Sequence, residues 1–232
     1  MSLLSDWAHF FPELWPGLLV SIRLTVVAML IAVPLGTLLA VGASSSSWVR
    51  WPTILLVEVG RGMPGLVMLY LVYYGGPQIG VSLTSFVAAS AGLGLTAAAY
   101  ISEIIRAGLI AVPRGQREAS RALGLTPWKE FRLVVLPQAI RIVIPPLIGY
   151  GIIVFQGTSL AFAISTPELL SRAYNAASIT FQYTATLTLA GALYAAISLA
   201  VIGLTGAPRF LGRARSLNTL RAARNASLPR TH

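Results

Sequence analysis

Apolar residues run through this chain in five long stretches. They cover about residues 14–43, 53–74, 82–105, 140–164 and 181–204. A helix of about 20 apolar residues rises ~30 Å, enough to cross the hydrocarbon core of a bilayer. The pattern therefore predicts an all-α fold, a polytopic membrane helical bundle of five transmembrane helices. Ahead of the first stretch, residues 1–13 carry Asp6, Glu13 and three aromatics, Trp7, Phe10 and Phe11, but no Lys or Arg. They read as an interfacial lead-in on the non-cytoplasmic side.

The polar intervals differ in kind. Residues 75–81 are uncharged, whereas residues 113–146 hold Arg114, Arg117, Glu118, Arg121, Lys129, Glu130, Arg132 and Arg141. That interval is too long for a tight connection and is punctuated like helices. Pro113 can open one and Gly124 can close it. Ala119, Ala122 and Leu123 repeat at helical spacing, giving a small apolar face on a basic helix. Thr126 offers a cap, with Pro127 at the next first helical position. This spacing predicts a docking helix.

The formal charge of +10 would suit a nucleic-acid binder, but its distribution points elsewhere. Of the 17 Lys and Arg, fourteen fall at residue 50, between 106 and 141, or from 209 onward. Arg172 alone lies in an interval of the opposite side, and Arg23 and Arg61 lie within spans. By the positive-inside rule this sets the N-terminus outside and the C-terminus in the cytoplasm. The chain then divides into the lead-in at 1–13, a transmembrane domain at 14–207 and a basic cytoplasmic tail at 208–232. The first span is too long for a signal-peptide core and lacks a basic region before it, so it reads as retained.

Polar residues inside spans are costly and point to pairs, cavities or pathways. Arg23 is placed to snorkel outward. Glu58 and Arg61 are spaced to pair, and Gly62-Met63-Pro64-Gly65 loosens the helix just after them. Span three is rich in Ala, Gly and Ser, as close helix packing requires, and Glu103 and Arg106 at its inner end are spaced to pair. Pro145 and Pro146 should stiffen or kink the start of span four. Gln156-Gly157-Thr158-Ser159 falls near the middle of that span, with Gln156 and Ser159 on one face. A hydrated cavity or solute contact competes there with hydroxyls bonded back to their own helix.

Enzymatic chemistry is not evident. The histidines, His9 and His232, lie near the termini, and there is no cysteine. No glycine-rich turn ending in Gly-Lys-Ser/Thr is present, so this chain lacks the usual phosphate loop for ATP.

Glu118-Ala119, then Gly124, then Leu136-Pro137 resembles the EAA loop of ABC importer permeases. The run GQREASRALGLTPWKEFRLVVLPQAIRIVIPPL is similar to the version in polar amino-acid permeases of the histidine/glutamine group. The likeness extends to Arg61-Gly62-Met63-Pro64, Ala99 to Glu103, Thr158-Ser159-Leu160 and Pro167-Glu168-Leu169, and covers about residues 14–206. It implies a type I ABC importer permease in a bacterial inner membrane, importing a polar amino acid or derivative. A second permease chain, identical or homologous, would complete the pathway. A cytoplasmic ABC ATPase dimer carrying ATP and Mg would take the coupling loop at about 113–137, through Glu118, Ala119, Ala122, Leu123 and Gly124. An extracytoplasmic solute-binding protein would deliver solute. Arg61, Gln156, Thr158 and Ser159 are the pathway candidates. Two departures bear on the solute: Gln156-Gly157 stands where many relatives have Lys-Asp or Lys-Asn, and Gly149-Tyr150 where many have Gly-Asn. The competing class is an ion-coupled secondary carrier, which usually shows more spans and often internal repeats.

Overall fold

A computed structural model describes residues 3–45 and 47–205. Helix α1 spans Leu3–Ala43, α2 Ser47–Gly62, α3 Gly65–Gly75 and α4 Ser85–Ile110. A 3₁₀ turn, Gly76–Ile79, separates α3 from α4. The charged interval forms α5, Arg114–Ala122, and α6, Pro127–Glu130. A π-turn at Phe131–Val135 leads into α7, Leu136–Gly157, which tightens into a 3₁₀ segment, Thr158–Ile164. The chain ends its described part with α8, Leu169–Thr180, and α9, Tyr183–Thr205. The tail expected at 208–232 lies outside the described residues.

Among the described residues, four helical runs are long and apolar enough to cross a membrane: Leu3–Ala43, Ser85–Ile110, Pro127–Ile164 and Tyr183–Thr205. The fifth crossing exists only if α2 and α3 count as one, and these are bent by 103°. The expected span at 53–74 is thus two helices. Pro64 cannot donate to the ladder, and it sits outside α3 in an extended conformation, φ −58° and ψ 134°.

Other boundaries also move. No break precedes residue 14, because α1 is already helical from Leu3. Phe10 and Leu14 are 2% and 0% exposed and pack with Leu169, Ala173, Ala185 and Leu189. That burial favours a continuous helix through Pro12 and Pro16. Helicity on the fourth span begins at Pro127 rather than 140, and α7 runs unbroken through Pro145 and Pro146. Residues 165–180, expected as an outer interval, hold α8.

The core forms where small residues let helices approach closely, as packing in lipid requires. Ala28 and Ala32 of α1 pack with Ala88, Ala97, Ala98 and Ile101 of α4. A Cβ added to Gly36 would lie 2.8 Å from the Ala98 carbonyl oxygen. Gly94 meets Ala28 and Ile31, and Gly36 meets Ala98 and Ile101, so α1 and α4 run parallel. Gly108 meets Ala139 and Val143 while Gly157 meets Leu93, so α7 runs antiparallel to α4. This sets α8 beside the start of α1, at Gly17, and α5 beyond the far end of α4. The charged interval and α8 therefore occupy opposite ends of the bundle.

Candidate functional site: a docking helix and a polar path through the bundle

Helix α5 is short, basic and held from one side. Ser120 is buried, and its Oγ donates to the Arg117 carbonyl at 2.7 Å. Arg117 Nη2 donates to the Leu109 carbonyl at 2.8 Å, tying α5 to the end of α4. Arg121 grips Glu130 of α6 through two bonds, Nε to Oε2 at 2.8 Å and Nη2 to Oε1 at 3.3 Å. The hydrogen bond from that carboxylate raises the Arg121 guanidinium above its ordinary range.

The other face of α5 is unpartnered among the described residues. Glu118, Ala119, Ala122 and Gly124 are exposed, and Leu123 is 81% exposed. Trp128, 67% exposed, extends this surface from α6. Gly124 has φ +75° and ends the helix: its N–H donates to the Arg121 carbonyl at 2.9 Å, and Leu125 N–H to Ser120 at 3.2 Å. That left-handed conformation is the one glycine adopts without cost. Two expected caps take another form. Pro113 is the residue before the helix rather than its first, and the Thr126 side chain caps nothing although its backbone is extended, φ −66° and ψ 156°.

Arg61 occupies the last turn of α2, at the bend. Its Nη1 donates to Glu58 Oε1 at 3.1 Å, so the pair expected from spacing forms. Its carbonyl accepts the Tyr100 hydroxyl at 3.0 Å, and its guanidinium carbon stands 5.7 Å from the centre of the Tyr100 ring, within cation–π range. Tyr100 in turn stacks on Tyr150 of α7, with centroids 5.4 Å apart. The Arg61 Nε–H is buried without an acceptor. Glu103 and Arg106 also pair as expected, at 3.0 Å. Arg23 is exposed and forms no ion pair among the described residues.

Gln156, Thr158 and Ser159 sit where α7 gives way to the 3₁₀ segment. Gln156 is exposed, and its Nε2 donates to Ser198 Oγ of α9 at 3.4 Å. Ser159 Oγ bonds back to the Gln156 carbonyl at 2.8 Å, and Thr158 Oγ1 to the Phe155 carbonyl at 2.6 Å. Thr158 is fully buried. The two hydroxyls thus serve the tightening of their own helix, leaving the Gln156 amide the freest polar group of the three. No hydrogen bond or ion pair joins Arg61 to these residues among those described. The two groups adjoin through packing, since a Cβ on Gly65, the first residue of α3, would lie 3.6 Å from Leu160.

One group escaped sequence reasoning. Glu168, fully buried, caps α8: its Oε2 accepts Leu170 N–H at 2.8 Å and its Oε1 accepts Ser171 N–H at 2.7 Å. Oε2 also accepts the hydroxyls of Tyr194 at 2.7 Å and Ser21 at 3.4 Å. Burial pushes this carboxyl above its ordinary range, while the four donors hold it down. The available signal was its isolation, for Glu168 is the last acidic residue of the chain.

Comparison with known proteins agrees with this architecture. The model of the family described as binding-protein-dependent transport system inner membrane component matches residues 32–207. The chain is 36% identical over 188 residues to the probable amino-acid ABC transporter permease protein YckA of Bacillus subtilis, covering 81% of this chain and 83% of that one. It is 35% identical over 206 residues to the glutamate/aspartate import permease protein GltK of Escherichia coli O6:H1, covering 84% and 92%. A chain from a crystal structure of an amino acid ABC transporter with histidines superposes with a TM-score of 0.84 at 32% identity, covering 92% of this chain and 99% of its own. The inward-facing MetNI methionine ABC transporter shares the fold, with a TM-score of 0.66 at 22% identity over 92% of this chain and 99% of its own. The chain therefore belongs to the binding-protein-dependent transport system inner membrane component family, the membrane permeases of ABC importers.

Proposed function

We propose that this permease carries an amino acid or amino-acid derivative inward, driven by ATP hydrolysed on a separate subunit. The exposed apolar face of α5 carries the reading. A helix clamped to its own bundle by Arg117 and Arg121, with Ala119, Ala122 and Leu123 turned away, is built to receive force from outside the chain. Alanines keep that face thin enough to enter a groove on an ATPase. Glu118 stands at the middle of α5, exposed and beyond its first turn. Two permease chains, an ATPase dimer holding ATP and Mg, and an extracytoplasmic binding protein make up the transporter.

In this reading α5 lies in the cytoplasm and α8 outside, with the N-terminus out and the C-terminus in, the orientation that the distribution of Lys and Arg favours. Their positions at opposite ends of the bundle support it. The curated relatives act on solutes of different charge, glutamate/aspartate for GltK and arginine for ArtQ of Bacillus subtilis. An amino-acid backbone is their common element, and Arg61, Gln156, Thr158 and Ser159 are the residues assigned here to the pathway. The test is uptake of labelled amino acids by cells with and without this chain. Uptake lost on ATP depletion and kept when the ion gradients collapse is the expected result. The opposite pattern overturns the ATP-driven reading.

A further inference from the structure

The Glu168 cluster does more than cap α8. Four elements meet at it: α1 through Ser21, α8 through its own amides, α9 through Tyr194 and the end of α7 through Thr158. The Tyr194 hydroxyl lies 2.7 Å from Glu168 Oε2 and 3.5 Å from Thr158 Oγ1. Its ring packs on Phe155, with centroids 5.2 Å apart. Its carbonyl accepts Ser198 Oγ at 2.8 Å, and Ser198 Oγ accepts the Gln156 amide at 3.4 Å. Tyr194 therefore joins two sets of polar contacts, Glu168 and Thr158 at its hydroxyl and, through Ser198, Gln156 at its backbone carbonyl.

We infer that Glu168 is a positioning residue for solute selection, acting through Tyr194 to set where the Gln156 amide and the Thr158 turn stand. This rests on the reading of Gln156 as a pathway residue. The physical case begins with expense. A fully buried carboxylate is unfavourable unless its lone pairs are met by donors, and here three donors converge on Oε2 alone. A helix cap needs only the two amide bonds. The Tyr194 bond adds nothing to the cap, and it fixes the phenol beside the point where α7 changes winding. Losing the acceptor frees the ring to turn away from the Thr158 hydroxyl and the Phe155 ring, which flank Gln156 in the chain. The same carboxylate pins α8 to α1, where a Cβ on Gly17 would lie 2.9 Å from the Glu168 carbonyl. A shift of α8 therefore reaches the turn at Gln156 through the Tyr194 hydroxyl at Thr158 and the Tyr194 ring on Phe155.

The experiment uses the complete transporter, with its ATPase and binding protein, in liposomes. Acidic, basic and neutral labelled amino acids are the probes. Gln156→Ala tests the pathway reading. Tyr194→Phe, which keeps the ring and removes the hydroxyl, tests the positioning role, and Glu168→Gln tests its source. The expected result is a change of about fivefold in the ratio of KM values between solutes for Tyr194→Phe, the size of one hydrogen bond. Gln156→Ala should change the same ratio, and the double variant should change it no further. Tyr194→Phe that lowers the maximal rate equally for all solutes, with KM ratios intact while Gln156→Ala shifts them, overturns the positioning role and leaves the pathway reading standing. Intact ratios in Gln156→Ala with shifted ratios in Tyr194→Phe overturn that residue's place in the pathway and keep the positioning role, through Thr158. Should Glu168→Gln fail to assemble, Tyr194→Phe decides alone.

Discussion

Arg121 and Glu130 face each other across the turn at Gly124, one edge of the guanidinium, Nε and Nη2, donating to both carboxylate oxygens. Their exposure is unequal: the Arg121 side chain is 68% exposed and that of Glu130 only 7%. The pair is thus a buried acid served by a surface base. Removing the base strands the acid, whereas removing the acid returns the base to water. Arg121→Ala should loosen α5 more than Glu130→Gln does. Hydrogen exchange at Leu123 to Leu125 checks it, and equal exchange in the two variants would contradict the asymmetry.

Gly124 ends α5 at φ +75°, and a Cβ there would meet nothing within 4 Å. Bulk is therefore not what excludes other residues; the backbone is. Left-handed conformation costs an L-residue ~1–2 kcal/mol, and Asn bears it better than most. Gly124→Ala should already weaken ATPase assembly, Gly124→Asn less so, and Gly124→Trp should abolish it with membrane insertion intact. ATPase retained on the purified permease is the readout. Full retention with tryptophan would sink the account.

Leu123, at the end of α5, offers a large apolar area and is exposed among the described residues. Burying one leucine contributes ~1.5–3 kcal/mol, equivalent to about ten- to hundredfold in affinity. Leu123→Glu should reduce ATPase binding by that factor without altering expression or melting of the permease. A titration of ATPase onto the immobilised permease measures it, and an unchanged affinity would place the interface elsewhere.

Much of this was legible in the chain because membranes make hydrophobicity decisive. Span positions, the Glu58–Arg61 and Glu103–Arg106 pairs and the Gly124 turn all follow from local spacing. The losses are of another sort. The 103° bend at Pro64 was visible as a loosening but not as an angle, since the angle is set by what α3 packs against. α8 was missed because it is short, twelve residues, and its anchoring comes from Glu168, Ser21 and Tyr194, brought together over more than a hundred residues of sequence. At Thr158 and Ser159 the spacing left a cavity lining and hydroxyls bonded back to their own helix both open, and the back-bonds are the ones that form. Hydrogen bonds that join distant segments leave no periodic trace.

Tyr100 should hold the bend of the second crossing. Its hydroxyl donates to the Arg61 carbonyl, at the end of a helix whose final carbonyls lack partners within the helix. Tyr100→Phe removes about 1 kcal/mol and leaves the stack on Tyr150 in place. The expected outcome is faster amide exchange on the two sides of the break, at Met63, which bonds to Val59, and at Val67 and Met68, which bond to Pro64. No change there would assign the bend to packing alone.

Gly17 gives the last test, because contact at this site is backbone to backbone. A Cβ added there would lie 2.9 Å from the Glu168 carbonyl oxygen and 3.0 Å from the Leu169 Cα. Neither atom can rotate away as a side chain would. The 2.8 Å approach to Arg172 Cγ is softer, since that side chain is flexible. Gly17→Val must therefore displace α8 from α1, at the ~1–3 kcal/mol typical of overpacking. The displacement should also lengthen the Ser21 bond to Glu168, already the longest of its four. Melting of the purified permease measures the cost, and a melting temperature equal to that of the unsubstituted protein would show that α8 can shift without penalty.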